Sequence, residues 1–274
     1  MTRTPRHQTV RSGDGTPLAY EIDGDGPPLV HVTGAICHRR FAPVRSGTEV
    51  LAGAFRVLAY DRRGRGDSGD APSWSPEVEV EDIAALIDEL GGTASLYGHS
   101  SGGVLALHAA RLLGERVDRV VVYDASWAAD ATEELEYADL RAEVDTLLRA
   151  GRHRQAVQHF LAGIGMPRFF VTLLPLMPGW RRLRDLAPTL RYDMDLTAHP
   201  PPLDLVSEIA VPVHVMVGAQ SPDGLHRVAR ELADAIPGAT HEVLAGQDHM
   251  VSEKVLLPSL RRALDPTYAT TEAS

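Results

Sequence analysis

A serine stands at the centre of Gly98-His99-Ser100-Ser101-Gly102, preceded by the apolar run Ala94–Tyr97 and followed by the apolar, helix-period segment Ser101–Leu113. Glycines two residues to either side let a strand turn sharply into a helix, because side chains there would collide where the two elements cross. A serine on such a turn presents its hydroxyl at the carboxyl end of the strand, where it can attack a carbonyl carbon once a neighbouring base takes its proton. The pattern predicts acyl transfer through Ser100. It asks for a base, a carboxylate to orient that base, and two N–H donors for the oxyanion.

Position selects the base. Among twelve histidines, His249 closes the loop Gly246-Gln247-Asp248-His249 after the last apolar strand pattern, on the side of the sheet where Ser100 projects. His31, His108 and His214 fall within strand or helix patterns and His241 starts a strand, so these read as structural; His99, beside the serine, reads as a pocket-shaping residue.

Elements must hold these groups in place. Short apolar runs at Gln8–Arg11, Pro17–Ile22 and Leu29–Thr33, separated by Gly- and Asp-rich turns, predict an opening meander. From Arg56–Tyr60 onward strands alternate with helices: Val78–Leu90, then Ala94–Tyr97, Ser101–Leu113 and Val117–Tyr123. Such alternation gives an α/β fold with a mostly parallel sheet flanked by helices. After Asp124 the alternation stops for about 80 residues. Helical patterns take over at Glu133–Ala150 and His153–Ile164, followed by an apolar region from Met166 to Trp180 broken by prolines. We read 125–205 as a helical cap inserted after the sixth strand, 1–124 and 206–265 as the core, and 266–274 as a frayed tail. The core resumes with strand Val211–Val217, helix Leu225–Ile236, strand His241–Leu244 and a last helix at Val251–Leu264.

Composition narrows the partners. Of 274 residues 44% are apolar and 23% charged, a globular balance, and the 37 acidic side chains outnumber the 27 basic ones for a net charge of −10. That field repels polyanions, so nucleic acid is not an expected partner. No apolar run approaches the roughly 20 residues of a membrane span, so no membrane is expected either. The polar start Met1–Val10 and the single Cys37 point to a reducing, cytoplasmic setting. The only lysine, Lys254, follows Glu253 rather than Gly, which removes a P-loop. Gly64-x-Gly66-x-x-Gly69 has dinucleotide-loop spacing but runs on through Asp70–Pro76 as loop instead of opening a helix, and is read as a turn. The expected chemistry needs a small-molecule substrate and no metal or organic cofactor; oligomeric state is not legible.

The chain resembles the α/β-hydrolase family, specifically small bacterial serine hydrolases bearing a cap. Besides the Gly-x-Ser-x-Gly turn, Asp61-Arg62-Arg63-Gly64-Arg65-Gly66-Asp67-Ser68 matches the family's Asp-x-Arg-Gly-x-Gly-x-Ser turn. Thr33-Gly34-Ala35 follows the third strand where the family usually has His-Gly, and His249 closes the chain order. The resemblance implies the α/β-hydrolase fold, with an oxyanion hole made by the backbone N–H groups of Ala35 and Ser101. Asp61 and Arg63 read as turn-stabilising. The sequence departs from the family after Val211–Val217, where the usual acid is replaced in Gly218-Ala219-Gln220-Ser221-Pro222. Two acids remain open: Asp124, at a strand end used by some relatives, and Asp223. We favour Asp124, because a strand end is a stiffer mount than a Pro-Asp-Gly turn.

Phe169, Phe170, Trp180 and Tyr192 are the expected substrate-lining residues of the cap, whereas Arg181, Arg182 and Arg184 read as a solvated face. The resulting expectation is a serine-dependent hydrolase of a small or medium apolar ester, thioester or lactone. The alternatives are a non-hydrolytic acyltransferase, lyase or cyclase of the same fold, and a catalytically silent ligand-binding protein.

Overall fold

The computed structural model describes residues 7–265. The expected tail, 266–274, lies outside the described residues. Eight strands form one sheet: β1 (Gln8–Arg11), β2 (Pro17–Asp23), β3 (Pro28–Val32), β4 (Arg56–Tyr60), β5 (Ala94–His99), β6 (Val117–Tyr123), β7 (Val213–Gly218) and β8 (Thr240–Leu244). Helices α1 (Ala42–Leu51), α2 (Pro76–Glu89) and α3 (Ser101–Leu113) follow β3, β4 and β5. Between β6 and β7 lie α4 (Ala131–Arg149), α5 (His153–Gly163), α6 (Arg168–Leu173), α7 (Trp180–Asp185), α8 (Leu190–Thr197) and α9 (Leu203–Val206). The chain ends with α10 (Asp223–Ala235) and α11 (Glu253–Leu264).

The opening meander is not formed. β1 and β2 pair antiparallel, but the next neighbour of β2 is β4, and β3 inserts in parallel between β4 and β5, giving the order β1-β2-β4-β3-β5-β6-β7-β8. Burial explains the correction. Leu29 through Val32 are all buried, which suits a central parallel strand covered on both faces rather than a meander at an edge. Helix α1 is a second departure, since the sequence patterns mark no element between Thr33 and Arg56; packing against α11 supports it.

Alternate residues of the central strands feed two layers. Val30, Val32, Val120 and Val122 pack with the apolar faces of α2, α3 and α10, whereas Leu29, Val121, Tyr123 and Met216 pack with Leu51 of α1 and Leu256 and Leu260 of α11. A third cluster holds the helices between β6 and β7 together through Val157, Phe160, Val171, Leu190 and Met194, and takes in Ile36 from the loop after β3. Caps mark the helix starts. Ser75 accepts a hydrogen bond from Val78 N–H at 3.4 Å, and Asp130 accepts from Thr132 and Glu133 N–H at 2.9 and 3.0 Å.

The strand order reverses between β3 and β5, so the chain leaves their carboxyl ends in opposite directions and opens a crevice there. The Thr33-Gly34-Ala35 loop and Ser100 border that crevice: a Cβ on Gly34 would sit 2.9 Å from Ser100 Cβ.

Candidate active site

Ser100 occupies the single residue between β5 and α3 with φ 57° and ψ −129°, the left-handed side of the map that a non-glycine residue enters at a cost of about 1–3 kcal/mol. Its neighbours enforce it. A Cβ at 98 would lie 2.5 Å from Gly102 O, and one at 102 would lie 2.2 Å from Val32 O, so glycine at 98 lets α3 cross β5 and glycine at 102 lets α3 approach the end of β3. Ser100 N–H donates to Tyr123 O at 3.0 Å, tying the turn to the end of β6.

Asp124 leaves that same end of β6, also at positive φ (48°), with its side chain fully buried. Oδ1 accepts from Gly218 N–H at 3.1 Å; Oδ2 accepts from the Ser221 hydroxyl at 2.7 Å and faces His249 Nδ1 at 3.0 Å. A neutral His249 donating from Nδ1 leaves Nε2 as the free acceptor, the tautomer a general base requires. Ser221, standing where the family pattern expects a carboxylate, is thus a donor to the carboxylate supplied by β6. Asp223 lies exposed at the first residue of α10, away from this set of hydrogen bonds.

The loop carrying His249 is pinned on several sides. Tyr123 O–H donates to Asp248 O at 2.5 Å, Gln220 N–H to Gln247 O at 2.8 Å, and Met250 N–H to Asp248 Oδ1 at 2.8 Å. His99 Nε2–H donates to His249 O at 2.8 Å, and the two rings lie 4.9 Å apart. Burial, with the neighbouring His249 adding to it, pushes the His99 imidazole down to about 3, so it stays neutral and acts as a fixed donor.

Ser126 is a site residue that sequence reasoning missed. Its hydroxyl donates to Asp124 O at 2.9 Å and lies 3.2 Å from Ser100 Oγ, so it is the acceptor for the Ser100 proton. No local pattern marks it; only its place two residues beyond Asp124 does. The N–H of Ala35, in the loop after β3, and the N–H of Ser101, at the first position of α3, have no partner among the described residues. The first N–H groups of a helix are left free by its geometry and attract negative charge.

The four expected lining residues are placed differently from one another. Phe169 is 72% exposed, whereas Phe170 and Trp180 pack at the edge of the third cluster. Trp180 also borders an open cavity of about 550 Å³ with Pro175, Met177, Gly179, Arg181 and Arg182, which contains none of Ser100, Asp124 or His249. Tyr192 is buried against other partners: its ring stacks on Trp74 at 5.1 Å and its hydroxyl donates to the Asp70 carboxylate at 3.0 Å. It anchors α8 to the loop after β4.

The charged turn is structural in its contacts. Asp61 accepts from Arg39 N–H at 2.7 Å, from the Arg39 guanidinium and from Asp67 N–H at 2.9 Å, and Arg63 forks onto Asp82 at 2.8 and 2.7 Å. Among the described residues no group of three His, Cys, Asp or Glu side chains has a metal-holding arrangement, and no helix is long and apolar enough to cross a membrane.

Residues 29–254 match the model of the alpha/beta hydrolase family. An alpha/beta hydrolase from Sphaerobacter thermophilus superposes with a TM-score of 0.83 at 39% identity, covering 93% of this chain and 99% of the other. A putative non-heme bromoperoxidase, BpoC, from Mycobacterium tuberculosis is 24% identical over 247 residues, 85% of this chain and 90% of its own length. The sn-1-specific diacylglycerol lipase ABHD11 of Mus musculus is 34% identical over 114 residues, 40% of this chain but 37% of the lipase. The chain thus matches little more than a third of that lipase's length.

Proposed function

The chain belongs to the alpha/beta hydrolase family, and within it we propose that it is a serine hydrolase that cleaves a small or medium apolar ester, thioester or lactone through an acyl-enzyme at Ser100. The observation that carries this reading is the buried Asp124 carboxylate 3.0 Å from His249 Nδ1, at strand ends adjoining the turn that holds Ser100.

In the proposed reaction the Ser100 hydroxyl turns from Ser126 to His249 Nε2, which takes the proton as Oγ bonds to the substrate carbonyl carbon. The carbonyl oxygen becomes an oxyanion and rests on the N–H groups of Ala35 and Ser101. Collapse of the tetrahedral intermediate breaks the bond to the alcohol, thiol or ring oxygen, which leaves with the proton held by His249. Water then repeats the sequence, giving its proton to His249 and its oxygen to the acyl carbon, and release of the acid returns the proton to Ser100. Asp124 holds the imidazole tautomer and stabilises the imidazolium at each stage. Residues 125–205 are the proposed cap, with Phe170 and Trp180 as its apolar contribution to substrate binding.

Turnover of a panel of aryl esters, thioesters and lactones, followed by release of free acid, tests the reading in wild type, Ser100→Ala and His249→Ala. Loss of turnover in both variants with an intact circular dichroism spectrum supports it. Equal rates in all three proteins contradict it, and turnover that yields no free acid identifies a non-hydrolytic reaction at the same serine.

A further inference from the structure

Behind the Ser100 turn lies a cluster of four buried charges that the proposed chemistry does not use. Asp193 of α8, Arg62 and Arg65 of the turn after β4, and Glu79 of α2 are each about 1% exposed or less. Asp193 Oδ1 accepts from Arg62 Nη1 and from the Ser101 hydroxyl, both at 2.8 Å, and its Oδ2 accepts from Arg65 Nη2 at 2.7 Å. Arg62 forks onto Glu79 with two bonds of 2.7 Å. Arg65 Nη1 donates to Gly34 O at 2.7 Å. Burial pushes the Asp193 carboxyl up, but Arg65 and Arg62 outweigh it and keep the group ionised. Two cations balance two anions, so each charge is compensated only while the other three are present.

The contact with Gly34 O has a directional consequence. The carbonyl of Gly34 and the N–H of Ala35 belong to one planar trans peptide and point in opposite directions, so a guanidinium fixed on the oxygen aims the N–H the other way. A cation on that oxygen also polarises the peptide and strengthens its N–H as a donor. On the other side, the bond from Asp193 to the Ser101 hydroxyl anchors the residue whose own N–H is the second oxyanion donor. We infer that Asp193 is a positioning residue that, through Arg65 and through Ser101, sets the direction of both oxyanion amides from a helix in the segment between β6 and β7. The inference rests on the serine-hydrolase reading above. It assigns a catalytic consequence to the seating of α8 on the core, and it gives Arg65 of the Asp-x-Arg-Gly-x-Gly-x-Ser turn a part in the reaction beyond shaping that turn.

The test compares wild type with Asp193→Asn and Ser101→Ala, using ester kinetics, inhibition by an aryl boronic acid as a tetrahedral mimic, and fluorophosphonate labelling of Ser100. Complete loss of one oxyanion donor typically costs about 100- to 1000-fold in kcat, so mis-aimed donors should lower kcat about 10- to 100-fold in Asp193→Asn and several-fold in Ser101→Ala. KM should stay within about twofold, and boronate affinity should fall in parallel with kcat, because the amides act on the tetrahedral species and not on the ground state. A merely structural role would move thermal stability without this split. Ser101→Ala deletes a single hydroxyl, so it decides the matter if Asp193→Asn fails to fold. Labelled wild type together with folded variants of unchanged kcat and boronate affinity overturns the inference alone; wild type that does not label at Ser100 overturns the hydrolase reading and the inference with it.

Discussion

Asp124 Oδ2 and His249 Nδ1 meet at 3.0 Å although 125 residues separate them in the chain. The contact is made by the sheet. β6 ends at Tyr123 and β8 at Leu244, β7 lies between them, and the loop after β8 folds back so that Tyr123 O–H can hold Asp248 O. The carboxylate therefore reaches the histidine from a strand two places away, across the end of β7.

That geometry separates the two acids left open by the sequence. Asp124→Asn should lower kcat by about 1000- to 10000-fold, because the amide no longer enforces the Nδ1–H tautomer. Asp223→Asn, at an exposed helix start, should leave kcat within about twofold. Steady-state kinetics on one aryl ester decides between them, and equal losses would contradict the assignment.

Ser221 should matter through Asp124 alone. Ser221→Ala removes one hydrogen bond to the carboxylate, worth about 1–2 kcal/mol, and should reduce kcat several-fold while KM holds. An unchanged kcat would show that Gly218 N–H and His249 suffice to hold the carboxylate.

The turn after β4 should show its cost in stability. Arg63→Met strands the buried Asp82 carboxylate, already pushed up by burial, and should cost about 3–5 kcal/mol of unfolding free energy. The double variant Arg63→Met with Asp82→Leu should recover a large part of that loss in urea titrations. Equal destabilisation in the single and double variants would show that the guanidinium packs the turn rather than neutralising the acid.

His31 carries a pH dependence. Buried between β4 and β5 and stacked on Tyr97 at 5.1 Å, its imidazole is pushed by desolvation from the ordinary 6.5 down to about 4. The unfolded chain therefore binds the proton more readily than the folded one. The stabilisation from keeping this ring neutral is complete above pH 6.5, is lost as pH falls from 6.5 towards 4, and amounts to on the order of 3 kcal/mol. His31→Phe keeps a ring in the stack and removes the titration, so its urea midpoint should fall less than that of wild type over this range. Parallel pH curves would refute the assignment.

The parts of the site legible in the sequence are those written locally. Gly98, Ser100 and Gly102 announce a strand-to-helix turn because the pattern is contained within five residues, and Asp124 can be singled out as a candidate acid because a strand end is a rigid, predictable mount. What was not legible depends on partners far along the chain. β3 looks like the next strand of a meander until its complete burial assigns it to the centre of the sheet. Tyr192 looks like a cap aromatic until Trp74 and Asp70, more than 100 residues earlier, claim its ring and hydroxyl. Ser126 has no motif at all, and Asp193 gives no hint that two arginines of the β4 turn will meet it.

The most direct test of the central claim, that Ser100 is activated by His249, is intact-mass measurement of covalent labelling by a fluorophosphonate. Wild type should take up one label within minutes, Ser100→Ala none, and His249→Ala only a trace over the same interval. Absence of labelling in wild type, or a label that persists in Ser100→Ala, would contradict it.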